Sequence, residues 1–142
     1  MKNDLKHIVV VGGGAGGLEL ATRLGKKLGR SGKARITLVD RSRTHLWKPL
    51  LHAVAAGSMN LHEEQFDHVY QARWNSYEYC RGPMTGLNRE GKEITVGEVI
   101  DEDGNLILPE RRLNYDMLVI AVGSRCNDFG TPGVAEFAHK LD

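Results

Sequence analysis

An apolar run that breaks into a cluster of glycines near the start of the chain constrains its fold more than any other feature. Residues 7–11 read His-Ile-Val-Val-Val, and residues 12–17 follow as Gly-Gly-Gly-Ala-Gly-Gly. The run has the composition of a buried strand. Helical spacing then places apolar side chains on one face at Leu18, Ala21, Leu24 and Leu28. The pattern predicts a strand, a tight turn and an amphipathic helix, which is how a parallel α/β fold begins.

The spacing of the glycines predicts a cradle for a pyrophosphate. Gly12 permits the sharp turn, Gly14 lets the backbone approach a phosphate without a Cβ in the way, and Gly17 lets the helix pack closely on the strand. The helix that opens at Ala15 and Gly16 points its unpaired N–H groups, with about half a unit of positive charge, at the anion. The alternative is a glycine-rich turn with no ligand. The order of the neighbouring elements disfavours that alternative.

An acidic residue follows at the distance that such a cradle requires. Residues 36–39 read Ile-Thr-Leu-Val, which predicts a second strand, and Asp40 ends it. A carboxylate at this place accepts hydrogen bonds from the hydroxyls of a ribose. We therefore expect a dinucleotide-binding βαβ unit.

Composition and charge exclude several classes of protein. The chain has 142 residues, which suits one domain or a piece of one, and its net charge of +1 gives no general attraction to nucleic acid. No apolar run approaches the ~20 residues of a membrane span, and no signal-peptide pattern occurs. Two cysteines, Cys80 and Cys126, are too few for a disulfide framework. A reducing cytoplasmic setting is therefore the expectation.

Lysine and arginine concentrate early in the chain. Residues 23–48 contain nine of the 19 basic residues and one acid, whereas residues 90–116 contain eight acids and three bases. We interpret both stretches as solvated faces. A second interpretation places the basic stretch near cofactor phosphates or an anionic membrane surface.

The rest of the chain completes the predicted fold. Pro49 starts a short helix that Gly57 ends, and residues 60–72 are expected to be irregular or weakly helical, with a helix start at 62–64. Strands follow over 77–81 running on into 84–87, over 93–100, and over 106–113, and these form a three-stranded antiparallel meander. Residues 115–121 predict another buried parallel strand, and residues 125–142 are expected to be loop-like. The fold class is thus α/β, a Rossmann-like parallel sheet with an inserted antiparallel β-meander, and incomplete.

Two metal motifs fail on their spacing. A zinc-protease pattern that starts at His62 needs a histidine at 66, where Phe66 stands. A calcium loop that starts at Asp101 needs its glycine sixth and a glutamate twelfth, but Gly104 is fourth and Arg112 is twelfth. We therefore expect a hairpin turn over 101–105 and no metal site.

Taken in order, these motifs resemble a known family. The glycine fingerprint, Asp40, the segment His-Leu-Trp-Lys-Pro-Leu-Leu-His at 45–52, the meander and Ala-Val-Gly-Ser at 121–124 look like the N-terminal part of a two-dinucleotide-binding flavoprotein. Within that superfamily the chain most resembles the bacterial type II, non-proton-pumping NADH:quinone oxidoreductases. The resemblance covers essentially all 142 residues, so we expect residues 1–142 to be the N-terminal portion of an FAD-binding domain.

The resemblance implies a set of cofactor contacts. The glycine loop would hold the FAD pyrophosphate, Asp40 would lie at the adenosine ribose with Arg41 as a further cofactor contact, and the backbone near Met84 would meet the adenine. The isoalloxazine and ribityl would lie beside Trp47, Lys48 and Pro49, and the turn at 121–123 would be a second flavin motif. The complete predicted set is Gly12, Gly14, Ala15, Gly16, Gly17, Asp40, Arg41, Trp47, Lys48, Pro49, Met84, Ala121, Val122 and Gly123. Trp47 as a core residue and Lys48 as a solvated one remain open alternatives.

The chain also departs from the pattern that the resemblance implies. Ala53 stands where a longer polar side chain is expected, which puts a quinone or flavin role at that position in doubt. No cysteine occurs between 41 and 79, which rules out the disulfide-reductase chemistry of the superfamily. A second glycine motif for NADH and the membrane-anchoring segments would lie beyond Asp142. We name no catalytic residue.

Two other functions remain as alternatives. A sulfide:quinone oxidoreductase shares the flavin scaffold but carries sulfur on cysteines, and Cys126 is one candidate for that role. A non-catalytic dinucleotide-binding module is the other, although it needs neither the meander nor the turn at 121–123. The resemblance further implies a peripheral enzyme on the cytoplasmic face of the inner membrane, with NADH and a quinone as substrates. A homodimer is an open possibility.

If residues 1–142 are only the flavin half, they cannot by themselves carry electrons from NADH to a quinone. We expect purified 1–142 to show no NADH-dependent quinone reduction when it is followed by loss of NADH absorbance, because the nicotinamide site is absent from this stretch. Turnover by this fragment would contradict the expected division of the chain.

Overall fold

The computed structural model describes residues 5–46, 53, 55–58, 65–124 and 127–139. The first half contains β1 (Lys6–Val11), α1 (Ala15–Leu24), a π-helical turn (Gly25–Gly29), β2 (Ala34–Asp40), β3 (Thr44–Leu46), β4 (Gln65–Asp67) and α2 (His68–Asn75). The second half contains β5 (Glu78–Arg81), β6 (Met84–Asn88), β7 (Glu93–Val96), β8 (Val99–Ile100), β9 (Leu106–Leu108), β10 (Arg111–Asn114), β11 (Met117–Ile120) and α3 (Val134–Phe137).

A parallel sheet of four strands forms the centre of the fold, in the order β11-β1-β2-β5. Strand β1 lies in the interior, with Val9 opposite Thr37 on one side and Leu118 on the other. Because both faces of such a sheet are covered, the buried parts of its central strands are mostly apolar. Val9, Val10, Leu38 and Val39 are fully buried. The predicted strands and the α/β class are confirmed.

The two faces of this sheet carry different layers. Ile8, Val10, Ile36 and Leu38 pack against the helical layer, which includes Ala21 and Ala72. Residues of the opposite parity pack against the antiparallel strands, and the members of that cluster are Val9, Val11, Val39, Ile94 and Val96. Each fully buried Val, Leu or Ile side chain contributes roughly 1.5–3 kcal/mol. The alternation of burial on β1 and β2 therefore joins three layers into one core.

The antiparallel part differs in detail from the prediction. Strand β5 pairs in parallel with β2, whereas the three-stranded antiparallel sheet has the order β10-β7-β6. Gly82 separates β5 from β6, because its φ of +145° turns the chain out of one sheet and into the other. A further ribbon, β8 with β9, interrupts the expected meander. The inserted three-stranded sheet is thus confirmed, but β5 and the ribbon lie outside it.

The predictions for β11 and the segment before α2 also need correction. Met117 and Ile120 are 57% and 53% exposed, because β11 is an edge strand here rather than a buried one. The described helix near the middle of the chain begins at His68, where Asp67 accepts hydrogen bonds from the backbone N–H groups of Val69 and Tyr70. Residues 59–64, where a helix start was expected, lie outside the described residues.

Smaller expectations are confirmed. Ala53 and Ala55 are helical, Ala56 lies in a turn, and Gly57 follows with a φ of +72°, whereas residues 49–52 and 54 of that predicted helix lie outside the described residues. Asp101 closes the hairpin turn by accepting hydrogen bonds from Asp103 and Asn105. The side-chain amide of Asn105 also donates to Asp101 Oδ2 at 3.0 Å, and this bond, followed by the backbone bonds, lowers the pKa of Asp101. Residues 131–133 turn as expected, and four residues beyond them form α3.

Residues 26–33 of the basic stretch form a solvated face. Lys26, Lys27, Arg30 and Lys33 are exposed at the far end of α1 from the glycine loop. They therefore do not line the predicted cradle.

His7 gives this fold a pH-dependent contact. Its Nε2 lies 2.8 Å from Thr37 Oγ1, and its backbone N–H donates to Asp116 across the sheet end. Burial, followed by the positive charge of Arg35, lowers the pKa of His7 below its ordinary 6.5.

Because that pKa is lowered in the folded state, the unfolded chain binds the proton more readily. The contribution of His7 is complete above pH 6.5 and is lost as the pH falls through the lowered value. We expect the urea midpoint to fall on acidification from pH 7.5 to 5, and His7→Gln to flatten that slope. An equal slope in both proteins would contradict this assignment.

Candidate functional site

The glycine loop joins β1 to α1 at a place where three backbone segments touch. Gly12 has a φ of +104°, and its N–H donates to Val39 O at 2.8 Å. A Cβ on Gly12 would overlap the carbonyl of Ala121 and lie 2.9 Å from Val122 Cα, and one on Gly17 would overlap the carbonyl oxygen of Gly12. Packing alone therefore requires glycine at 12 and 17.

Gly14 and Gly16 have the opposite surroundings. A Cβ built on either would meet no atom of the described chain within 4 Å, and both glycines lie on the outer side of the loop. Their lack of a side chain is not needed for packing, so it keeps a space open in front of α1. This is the place where the sequence predicts a pyrophosphate.

The start of α1 faces that open space. Gly14 caps the helix without any side-chain hydrogen bond, and the first turn contains no acidic residue. The first intrahelical bond of the capping region runs from Leu18 N to Gly14 O at 2.9 Å. The N–H groups of Ala15 and Gly16 therefore have no intrahelical acceptor and suit an anion.

Asp40 lies beside the loop, as predicted. Gly13 N donates to Oδ2 at 2.5 Å, and Ser42 N donates to Oδ1 at 2.7 Å. Each carboxylate oxygen has two lone pairs, so acceptor capacity is left for a diol. Arg41 follows it directly and is exposed.

The turn after β11 completes the open side of the site. Ala121 N donates to Val11 O at 2.7 Å, and the Ala121 carbonyl lies against Gly12. Val122 is 68% exposed, and Gly123 has a φ of +72° with nothing within 4 Å of a built Cβ. The structure thus brings Ala121 and Val122 to the glycine loop, and contact of residues 121–123 with the cofactor remains a prediction.

Met84 starts β6 just beyond Gly82, and Gly82 N donates to the Asp40 carbonyl at 2.9 Å. Met84 packs against the cluster of Val9, Val39 and Val96, so it borders the same end of the sheet. Its contact with an adenine remains a prediction. Trp47, Lys48 and Pro49 lie outside the described residues, as does Cys126.

Sequence reasoning missed two residues behind the loop, His68 and Tyr79. His68 is 1% exposed, and its ring centroid lies 5.2 Å from that of Tyr79. The Tyr79 hydroxyl donates to Ser42 O at 2.6 Å. Burial and then the charge of Asp40 raise the pKa of Tyr79 well above its ordinary range, so it stays a neutral donor. The sequence signal that could have been used is Asp67, because an N-cap at 67 places His68 at the first position of a helix.

Neither a metal-binding cluster nor a membrane-spanning helix occurs in the described ranges. Those ranges contain no cluster of three or more His, Cys, Asp or Glu side chains placed to hold a metal ion. They also contain no helix long and apolar enough to cross a bilayer.

A parallel sheet with a glycine loop, an open helix start and an acid at the end of the second strand defines a dinucleotide-binding protein. Comparison with known families makes this more specific. The sequence profile of the pyridine nucleotide-disulphide oxidoreductases matches residues 6–142, and the chain belongs to that family.

Individual relatives agree. A type II NADH:quinone oxidoreductase of Haemophilus influenzae is 46% identical over 138 residues, which cover 97% of this chain and 31% of the relative. The structure of NDH2 from Plasmodium falciparum has a TM-score of 0.71 at 23% identity, covering 96% of this chain and 26% of that one. The sulfide:quinone oxidoreductase of Aquifex aeolicus also has a TM-score of 0.71, at 24% identity, covering 92% and 27%. The chain thus spans about a third or less of these relatives.

The open space at Gly14 gives a clear mutational prediction. In the longer protein, Gly14→Val should abolish retention of a bound dinucleotide, because the side chain enters the space in front of α1 and meets no protein atom. Circular dichroism should show the fold retained, and absorbance of the purified protein reports the bound cofactor.

Gly17→Val is the matched control. Its side chain would overlap the Gly12 carbonyl, so it should fail at folding rather than at binding. Full cofactor occupancy in a folded Gly14→Val protein would contradict the placement of the pyrophosphate.

Proposed function

We propose that this chain is the FAD-binding part of a flavoprotein that transfers electrons from NADH to a membrane quinone without pumping protons. The observation that carries the proposal is the site itself: open glycines at the start of α1, Asp40 beside them, and the turn at 121–123 against the same loop. The 46% identical relative, a type II NADH:quinone oxidoreductase, supports this activity for the longer protein.

The residues present fit FAD. Ala15 and Gly16 would donate N–H groups to the pyrophosphate, Gly12 and Gly17 would hold the helix at the required distance, and Asp40 would accept from the adenosine ribose. Arg41 and the backbone at Met84 would border the adenine. Trp47, Lys48 and Pro49 are assigned to the isoalloxazine end by resemblance, and the turn at 121–123 would pass close to the cofactor.

The chemistry and the protein have separate tasks in this proposal. The bound flavin would supply the redox chemistry that couples hydride donation by NADH to one- or two-electron reduction of a quinone. The residues of this chain bind and orient it. Asp40 fixes one end through the ribose, and the start of α1 offsets the charge of the pyrophosphate. The binding parts for NADH and the quinone would lie in the remainder of the longer protein.

The location and assembly are proposed on the resemblance. A quinone dissolves in the bilayer, so the longer protein would work as a peripheral enzyme at the cytoplasmic face of the membrane. Light scattering of the full-length protein would show whether it is a homodimer.

A sulfide:quinone oxidoreductase is the second candidate, because one such enzyme shares this fold with a TM-score of 0.71. It would require a cysteine near the flavin, and Cys126 follows closely after the turn at 121–123 in the sequence. The likeness shows the fold alone, so the NADH:quinone activity is preferred.

The test uses the longer protein, purified from membranes with a detergent. We expect it to be yellow, to contain about one FAD per chain, and to oxidise NADH when a quinone is added. A Cys126→Ser variant should keep this activity, and neither protein should oxidise sulfide. A protein that is colourless and does not bind added FAD would contradict the proposal. Oxidation of sulfide by the unmodified protein, lost in Cys126→Ser, would favour the second candidate.

A further inference from the structure

We propose that His68, backed by Tyr79, is a positioning residue for the adenosine end of the dinucleotide site: its ring holds Gly13 in the place where the loop N–H meets Asp40. This proposal rests on the proposed function, because it concerns the same site. It goes beyond the proposed function by assigning a role to a buried histidine on α2 that the glycine fingerprint does not include.

The ring of His68 lies directly against the loop. A Cβ built on Gly13 would be 2.7 Å from both Cε1 and Nε2 of His68 and 3.1 Å from Asp40 Oδ2. The imidazole and the carboxylate thus flank the same α-carbon. Since Gly13 is itself buried, it has little freedom to move away from either.

Tyr79 supports His68 from the sheet. The two rings are tilted by 34° at a centroid distance of 5.2 Å, which is a favourable aromatic geometry. The Tyr79 hydroxyl donates to Ser42 O at 2.6 Å and reaches Asp40 O at 3.3 Å. The same side chain therefore supports His68 and holds the backbone on both sides of Arg41.

The start of α2 is fixed to the segment that follows Asp40. His68 N donates to Arg43 O at 3.0 Å, Asp67 forms an ion pair with Arg43 at 3.2 Å, and Thr44 pairs with Asp67 between β3 and β4. Hydrogen bonds and an ion pair thus tie the helix that carries His68 to the strand end that carries Asp40. The ring has a defined position relative to the carboxylate.

The consequence for binding is local. Gly13 N donates to one oxygen of Asp40, so a shift of Gly13 changes the direction in which that carboxylate offers its remaining lone pairs. Ligands that use the ribose diol should lose affinity when a smaller side chain replaces His68. Ligands that lack that diol should lose much less.

The first experiment measures dissociation constants of the apo form of the longer protein by flavin fluorescence, for FAD and for its 2′-deoxyadenosine analogue. We expect His68→Leu to weaken FAD about 10-fold, equivalent to ~1.4 kcal/mol, and the analogue by less than about 3-fold. Tyr79→Phe should act in the same direction with a smaller effect. Tyr70→Phe, an exposed tyrosine on the same helix, is the matched control and should change neither.

The second experiment tests the contact itself. Gly13→Ala should weaken FAD binding about 10-fold or more, because its methyl group meets the His68 ring. In a His68→Ala background the same change should cost less than about 3-fold, since the ring is gone. An equal loss in both backgrounds would overturn the proposed contact.

The outcomes separate the two proposals. If the unmodified protein does not bind FAD, the proposed function fails. If it does, and His68→Leu binds FAD and the analogue as the unmodified protein does, the positioning role is overturned and the proposed function stands. Should His68→Leu fail to fold, the comparison of Gly13→Ala in the two backgrounds and the Tyr79→Phe titration decide.

Discussion

The contact of Gly12, Gly17 and Ala121 is the constraint on which the rest of the structure depends. Strand β1, helix α1 and the end of β11 approach one another here with no space for a side chain at either glycine. This approach fixes where α1 begins and how closely it packs on the sheet. It also sets the turn at 121–123 beside the helix start, since Ala121 N bonds to Val11 O. A side chain at Gly12 or Gly17 would therefore displace the other parts of the site.

Glycines of one short motif therefore serve two different physical purposes. Gly12 and Gly17 are required by the protein's own packing, whereas Gly14 and Gly16 face open space. The spacing of the motif predicts these different purposes, but it does not show which atoms require each glycine. The structure distinguishes them by what a Cβ would meet. Substitutions at Gly12 or Gly17 should therefore reduce stability, whereas substitutions at Gly14 or Gly16 should reduce binding.

Local patterns predicted the first βαβ unit and Asp40 well, because apolar periodicity and glycine spacing are short-range signals. They did not predict that β5 joins the parallel sheet, since alternation shows that residues 78–81 form a strand but not which sheet it enters. The backbone turn at Gly82 decides that. The prediction that β11 is buried was wrong, because burial of this strand requires a neighbouring element on its outer side. His68 was missed because its contact with Gly13 joins residues 55 positions apart in the sequence.

The electrostatics of Asp40 explain why a carboxylate can lie so close to the proposed pyrophosphate. Two negative groups repel, but Asp40 accepts two backbone N–H bonds, and the positive end of α1 lies beside it. Tyr79 adds no charge, because a phenol is protonated at neutral pH and burial raises its pKa further. A ribose diol can donate to this carboxylate, whereas a ribose 2′-phosphate would bring a second anion against it. In the proposed site this arrangement would favour an unphosphorylated adenosine ribose, and the packing of the buried His68 against the half-buried Tyr79 would keep that preference in a fixed geometry.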